Sequence, residues 1–274
     1  MKLCNIEIGG RSVSGFDTGI TLSEFNILLD CGQANAMARQ CQFVLSTHGH
    51  LDHFGGFVRH AYIRHMTAMT PSIFVVPPHL EDAVHEQFRF WAKIQNARKP
   101  DYEVIVAHPG EKVILEGNRF VRAFPTIHRV PSQGYVIGET RKRLKLEFVG
   151  LGSRKLGDLR RQGVVFEEEV EVLLVAFTGD TQARVFDQDL EALKAKVLIT
   201  ECTFINGDVS IAEARKRGHV HMDELIEREG RFENNEAILL VHFSHRHDNR
   251  DIERAIAKMP QTMRNKTRYL SVGR

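Results

Sequence analysis

The chain has 274 residues, of which 42% are hydrophobic and 26% are charged. These values are ordinary for a globular protein with a sizeable core, and they exclude an intrinsically disordered chain. The 37 Lys and Arg residues against 35 Asp and Glu residues give a formal net charge of +2, so no overall field marks the protein for nucleic acid or an anionic membrane.

The first residues and the apolar runs predict a cytoplasmic protein with no membrane partner. Residues 1–7 lack the apolar stretch of a signal peptide, and runs such as Val172–Phe177 are too short to span a bilayer. The four cysteines have no C-x-x-C spacing, so we expect buried thiols rather than a disulfide framework.

The first half of the chain alternates short apolar runs, typical of strands, with longer stretches of helical spacing. The predicted strands are Phe25–Asp30, Phe43–Thr47, Ser72–Val76, Glu103–Ala107, Lys112–Leu115 and Phe120–Phe124. The predicted helices are Phe54–Met69 and His79–Arg98.

The second half repeats this alternation. Its predicted strands are Val170–Phe177, Val197–Thr200 and Ala237–Phe243, and its predicted helices are Asp187–Ala195, Met222–Arg231 and Asn249–Met259. No linker-like or low-complexity tract separates the halves, so the sequence predicts one α/β domain over residues 1–274.

A basic segment, residues 141–161, interrupts this pattern. It carries eight Lys and Arg residues against only Glu147 and Asp158, and three glycines predict a mobile or tightly turning segment. Charge runs are commonly solvated faces, so a nucleic-acid grip and a plain surface loop both stay open.

The stretch THGHLDH, residues 47–53, contains four side chains that bind metals: His48, His50, Asp52 and His53. Imidazole suits Zn, Fe, Ni and Cu, and a carboxylate adds a harder donor. One ion takes three or four ligands, so four donors this close favour the start of two sites over the completion of one.

Further polar residues follow apolar runs, at predicted strand ends. They are His128, Asp180, Glu201 and His242. Open α/β sheets place their sites at such an edge, although each residue taken singly could equally be a hydrogen-bonded structural group.

The order His48-x-His50-x-Asp52-His53, then His128, Asp180 and His242, resembles the metallo-β-lactamase superfamily. Within it, the chain is most similar to ribonuclease Z, the tRNA 3′-processing endonuclease. The motifs that carry this likeness are LLDCG, HRVPSQGYVI, FTGDT, TECTF, GHVHMDEL and LVHFSHRH.

The resemblance implies a four-layer αβ/βα sandwich, a single metallo-β-lactamase-like domain with a short basic insertion near residues 141–165. It implies two divalent transition-metal ions, with Zn²⁺ foremost and Mn²⁺ or Fe²⁺ as alternatives. One ion would be held by His48, His50 and His128, the other by Asp52, His53 and His242, with Asp180 bridging both.

The implied activity is that of a metal-dependent hydrolase, a phosphodiesterase that acts on RNA or a smaller phosphodiester through a hydroxide held by the two ions. Asp52 would orient the hydroxide, and Glu201 with His219 would deliver a proton to the leaving oxygen. The alternative for His219 is a residue that only caps the helix beginning near Met222.

The sequence departs from the ribonuclease Z pattern at several points. The family arm ends in a Gly-Pro motif, whereas Gly152 is followed by Ser153 and the arm is short. The family HEAT motif reads TECT at residues 200–203, and HST reads HVH at residues 219–221. These changes leave hydrolysis expected and weaken the expectation of a tRNA substrate.

Other functions on the same fold remain alternatives. A thioester or lactone hydrolase is the second hypothesis, but Glu201 and His219 favour a phosphodiester, because a developing alkoxide needs a proton donor more than a thiolate does. A redox di-iron protein of this fold usually has glutamate where His50 stands. A non-enzymatic binding module would be expected to have lost metal ligands, and none is missing here. A homodimer is a further expectation.

Overall fold

The computed structural model describes residues 1–34 and 37–272. Strands of the first half lie side by side in chain order, antiparallel up to β4 and parallel beyond it. They are β1 (Lys2–Leu3), β2 (Ile6–Ser14), β3 (Asp17–Leu22), β4 (Ile27–Leu29), β5 (Phe43–Leu45), β6 (Ser72–Val76) and β7 (Tyr102–Val106).

Strands of the second half form another sheet, with one exception. They are β8 (Lys112–Ile114), β9 (Arg119–Pro125), β10 (Gln133–Leu144), β11 (Glu167–Phe177), β12 (Val197–Glu201), β13 (Ala237–Val241), β14 (Phe243–Ser244) and β15 (Thr267–Tyr269). The order in this sheet is β15-β13-β12-β11-β10-β9-β8, while β14 pairs in parallel with β2 of the first sheet.

The described residues also form eight α-helices. They are α1 (Leu51–Phe54), α2 (Phe57–Met66), α3 (Glu81–Gln95), α4 (Ser153–Arg161), α5 (Ile211–Lys216), α6 (Met222–Glu227), α7 (Asn249–Ala257) and α8 (Gln261–Lys266). In the described ranges, no helix is long and apolar enough to cross a membrane.

Alternation of side chains along buried strands explains the layers. Leu45 points into the core between the two sheets, whereas its neighbour Val44 packs under α2 and α3 with Phe57 and Phe88. Likewise Ile199 faces the central core, while Leu198 packs with Leu225 and Ile252 of the outer helices. The predicted four-layer αβ/βα arrangement is confirmed.

The predicted helix over residues 187–195 was wrong. In place of an α-helix, this region contains two short 3₁₀ turns, at residues 183–187 and 191–194. The side-chain amide of Asn235 donates to the carbonyls of Ala192 and Ala195, which ends helical hydrogen bonding there.

As predicted, all four cysteines in the described residues are free thiols, with Cys4 half-buried and the others buried.

The basic segment is more ordered than its glycines indicate. Strand β10 continues to Leu144, α4 follows, and β11 then begins with an acidic run, Glu167–Glu169. Arg143 lies opposite Glu168 in the β10–β11 register, and their side chains pair at 2.8 Å. Arg160 also lies 3.9 Å from Glu167. Part of the positive charge is therefore balanced by residues beyond the segment.

Candidate metal centre

The seven predicted metal ligands meet at one edge of the two sheets. His48, His50, Asp52 and His53 follow β5, His128 follows β9, Asp180 follows β11 and His242 follows β13. Ligand atoms of His48, His50, His128 and Asp180 lie within 4.8 Å of one another, and so do those of Asp52, His53 and His242. The fold thus forms two adjacent groups from the residues that the sequence singled out.

The first group has three converging imidazoles. His50 Nδ1 lies 3.0 Å from His48 Nε2 and 3.3 Å from His128 Nε2. Nitrogen ligands about 2.0–2.1 Å from a tetrahedral zinc ion lie roughly 3.3 Å apart. The spacing of these nitrogens therefore fits one such ion.

The second group faces the first across the cluster. His53 Nε2 lies 3.2 Å from His242 Nε2, and Asp52 Oδ2 lies 3.4 Å from His242 Nε2 and 3.6 Å from His53 Nε2. His242 has a left-handed backbone, φ 59°, where the chain leaves β13 for β14. This turn carries its ring from the second sheet toward the first.

Asp180 lies between the groups, and each of its oxygens faces one of them. Oδ2 lies 3.7 Å from His48 Nε2, whereas Oδ1 lies 3.3 Å from His53 Nε2 and 3.4 Å from His242 Nδ1. Asp180 is 2% exposed, and Oδ1 has no hydrogen-bond partner among the described residues. A buried, unpartnered carboxylate oxygen among imidazoles is a position suited to a cation.

Asp30 supports this cluster, and the sequence reasoning missed its role. Its Oδ2 lies 2.7 Å from His53 Nδ1, and its Oδ1 accepts a 2.7 Å hydrogen bond from the Thr47 backbone N–H. A carboxylate on the far nitrogen of a ligand histidine fixes the ring so that the other nitrogen is free for metal. Asp30 also ends an apolar strand, which is the signal that identified Asp180.

Three of the other predicted ligand histidines also have a hydrogen-bond partner on Nδ1. Gly218 O lies 2.8 Å from His128 Nδ1, and a Cβ at Gly218, φ 81°, would lie 2.7 Å from that nitrogen. His242 Nδ1 lies 3.1 Å from Thr203 Oγ1, and Thr47 Oγ1 lies 3.0 Å from His48 Nδ1. Glycine at 218 is therefore required for the position of His128.

Charges within the cluster shift several pKa values. Burial and the neighbouring imidazoles lower the pKa of His48 to about 2, so its ring is neutral, the form that binds metal. Burial disfavours a charge on His53, but Asp180 and Asp30 outweigh it and raise its pKa to about 10. The carboxylates of the site thus strongly favour a positive charge among them.

Glu201 and His219 form a buried pair beside the cluster. Glu201 Oε1 lies 2.9 Å from His219 Nδ1 and accepts from Thr181 N–H at 2.7 Å. Its Oε2 accepts from Thr203 Oγ1 at 2.6 Å and from Val220 N–H at 3.1 Å. With four partners and no exposure, Glu201 is held in one orientation.

His219 pairs with Glu201 and does not cap the helix that follows it. Burial lowers its pKa, but Glu201 and Asp180 outweigh that effect and raise it to about 9. The residue that caps α6 is His221, so the capping alternative for His219 is wrong. The ring of His219 lines a pocket of about 570 Å³ together with Phe16, Arg129, Arg217 and Arg246.

Comparison with curated proteins identifies the family. No protein-family model matches the chain. The chain is 33% identical over 275 residues to tRNase Z TRZ1 of Arabidopsis thaliana, and the match covers 100% of this chain and 98% of that protein. The chain belongs to the tRNase Z family. The chloroplastic tRNase Z TRZ2 of the same plant is 31% identical over 100% of this chain and 77% of its own length.

Solved structures agree on the fold of this tRNase Z family member. Human tRNase Z, short form, superposes with a TM-score of 0.62 at 14% identity, covering 97% of this chain and 96% of that one. The metallo-β-lactamase fold protein YhfI from Bacillus subtilis gives 0.60 at 16% identity, covering 96% and 95%. The metallo-β-lactamase fold is confirmed, and the protein is a metal-dependent hydrolase of the ribonuclease Z kind.

Proposed function

We propose that this tRNase Z family member is an endoribonuclease that hydrolyses a phosphodiester bond of tRNA precursors at a dinuclear zinc centre. The two Arabidopsis relatives are both tRNases Z, which supports a tRNA precursor as the substrate. The observation that carries the dinuclear centre is the position of Asp180, whose two oxygens face different groups of histidines.

The donor set favours zinc. His48, His50 and His128 offer three imidazoles to one ion, while Asp52, His53 and His242 offer two imidazoles and a carboxylate to the other, ligands typical of catalytic zinc. When bound, the ions would supply Lewis acidity and lower the pKa of water toward neutrality. Mn²⁺ and Fe²⁺ accept similar ligands and are the competitors.

Glu201 and His219 would complete the chemistry. Glu201 holds Nδ1 of His219, which leaves Nε2 for donation of a proton to the leaving oxygen. Because Glu201 is hydrogen-bonded to Thr203, and Thr203 to His242, the same network aligns the proton donor with the metal ligands. Asp52 would orient the attacking water.

The protein side of the substrate interaction would include the basic segment. Helix α4 is solvent-exposed and carries Arg154 and Lys155, for which no ion pair is present among residues 1–34 and 37–272. We interpret α4 as a shortened counterpart of the family arm. It would contact RNA phosphates at a distance from the cut.

One experiment separates this function from its alternative, a thioester or lactone hydrolase. Metal content is measured on freshly purified protein, and hydrolysis of bis(p-nitrophenyl) phosphate, a thioester, a lactone and a tRNA precursor is compared side by side. Cleavage of the tRNA precursor with two ions per chain supports the proposal. Turnover of the thioester or lactone alone would replace it.

We also propose a cytoplasmic homodimer. Helix α3 exposes Phe90 (60%), Trp91 (44%) and Ile94 (58%), an apolar surface that a second copy could cover. Sedimentation velocity of wild type and of Trp91→Glu tests this assembly. A wild-type monomer across micromolar concentrations would refute it.

A further inference from the structure

The turn between β2 and β3, residues 14–16, reaches the metal centre from the first sheet. The backbone N–H of Gly15 donates a 2.7 Å hydrogen bond to Asp52 Oδ2, and the backbone there is left-handed, φ 74°. The next residue, Phe16, is therefore fixed close to a predicted metal ligand. We call residues 14–16 the β2–β3 turn.

Strand β14 brings an imidazole to the same place. Phe243 and Ser244 pair with Val13 and Ser14, so His245 emerges beside Phe16. The two rings lie 5.1 Å apart with an interplanar angle of 56°. His245 is itself exposed, and it supports Phe16 from one side only.

Phe16 is 54% exposed although it is a large apolar side chain. It stands between two adjoining cavities of about 570 and 630 Å³, and both are lined by Phe16, His245 and Arg246. The smaller cavity is also lined by His219, the proposed proton donor. A nucleotide whose phosphate reacts at the centre would therefore have its base within reach of Phe16.

Arginines flank the exposed ring. Arg129 and Arg246 line the cavity at the centre, and Arg11 and Arg250 line the adjoining one. In the part of the chain that the structure describes, none of these four guanidinium groups forms an ion pair within 4.0 Å of a carboxylate, although Arg11 acts at longer range on Asp17. Exposed aromatic rings between unpaired guanidinium groups are typical of surfaces that bind single-stranded nucleic acid, because bases stack on the rings and cations bind the phosphates.

We infer that Phe16, supported by His245, is a stacking platform for the base of a nucleotide next to the scissile phosphate. The inference rests on the proposed ribonuclease function and adds a specificity residue to it. The Gly15–Asp52 hydrogen bond fixes the distance between this platform and the metal centre.

The test compares Phe16→Leu, which keeps apolar bulk without an aromatic face, with Phe16→Trp, which keeps the face. The substrates are a tRNA precursor and two copies of it with an abasic ribose on one or the other side of the cut. Loss of base stacking lowers affinity by roughly 5- to 150-fold. We expect Phe16→Leu to raise KM by this factor on the intact substrate, with kcat kept, and to have less than a twofold effect on one abasic substrate. Phe16→Trp should behave as wild type.

Ile114→Ala is the control, because Ile114 is similarly exposed (57%) but lies on β8, the edge strand of the second sheet. An equal loss on intact and abasic substrates would show that Phe16 only supports the fold of the turn, and would overturn the platform. Unchanged kinetics of Phe16→Leu on the intact substrate would overturn it as well.

Failure of the proposed function gives a different result. If wild-type protein cleaves no RNA, binding is measured with single-stranded RNA that contains 2-aminopurine, whose fluorescence is quenched by stacking. Quenching by the metal-loaded wild type but not by Phe16→Leu would still support the platform. Absence of quenching by both proteins would overturn it.

Discussion

Asp30 Oδ2 lies 2.7 Å from Nδ1 of His53, one of the predicted metal ligands, and both side chains are fully buried. The two residues come from different elements, since Asp30 follows β4 and His53 lies in α1. The pair determines which nitrogen of His53 faces Asp180 and His242.

Replacing Asp30 by Asn should weaken metal binding at the group of Asp52, His53 and His242. The amide N–H₂ would donate to His53 Nδ1 and move the ring proton to Nε2, the nitrogen that faces the other ligands. Loss of such a supporting partner typically lowers metal affinity by about 10- to 100-fold. Competition with a chelator measures this, and Asp187→Asn, in an exposed pair with Arg228, is the control. Equal affinities would contradict the supporting role.

Replacing Asp180 by Ala should remove both ions and abolish hydrolysis. Its two oxygens face both groups of histidines, and the other carboxylate of the cluster, Asp52, belongs to one group only. Elemental analysis after desalting gives the metal content per chain. A single ion per chain in unchelated wild-type protein would disagree with a bridging Asp180.

Glu201→Gln and His219→Ala should retain both metals and lose turnover. Positioned acid–base groups contribute about 10²–10⁴-fold to the rate, and a reduction of this size in kcat is expected for each variant. Because the two residues act through one hydrogen bond, the double variant should be only slightly slower than either single variant. A loss below about threefold, or loss of metal, would rule out proton delivery.

Neutralising Arg154, Lys155, Arg160 and Arg161 together should weaken RNA binding and flatten its salt dependence. Each phosphate contact on a single strand contributes about −0.7 to the slope of log affinity against log salt. Arg160 and Arg161 also pair with Glu167 and Asp158, so Arg154 and Lys155 should account for most of the change. Hydrolysis of bis(p-nitrophenyl) phosphate serves as the control. Equal RNA affinity across the salt range would identify α4 as a plain surface helix.

His60 should make the fold less stable in acid. Its ring is fully buried, with Nδ1 3.0 Å from Ser72 Oγ and Nε2 3.1 Å from Ala38 O. Burial lowers its pKa to about 4, against about 6.5 in the unfolded chain. Between these pH values the unfolded state binds the extra proton, so the free energy of unfolding falls as the pH drops through this window, by about 3 kcal/mol in total.

Urea unfolding at pH 7, 5.5 and 4.5 measures this effect. The stability difference between wild type and His60→Asn should narrow as the pH falls, because the variant lacks the titrating ring. His65→Asn changes an exposed histidine of the same helix and should cost little stability. A constant difference between wild type and His60→Asn would refute the role of His60.

Much of the candidate site could be predicted from the sequence, because its ligands follow strands. His48, His50, Asp52 and His53 lie in six consecutive residues, so local geometry alone brings them together. Asp180, Glu201 and His242 each end a parallel strand of one sheet, and the carboxyl ends of such strands share an edge. The buried strands were also recognisable, since both of their faces are apolar.

Other elements gave weak signals because their patterns are mixed. Strand β2 contains two glycines and charged residues, and the outer half of β10 is polar, so neither resembles a buried strand. Helix α4 contains Gly157, a residue that disfavours helix, and it forms where the sequence indicated a turning segment. Its position between β10 and β11, with acidic residues across the register, was not visible in the local sequence.

Only the tertiary structure decided which residues support the ligands and shape the pocket. The pairing of Asp30 with His53, the contact of Gly15 with Asp52 and the approach of His245 to Phe16 all join segments distant in sequence. The last two depend on the departure of β14 from the second sheet to pair with β2 of the first. Hydrophobic periodicity determines which face of a strand is buried, but it contains no information about which strand of the opposite sheet a chain segment will join.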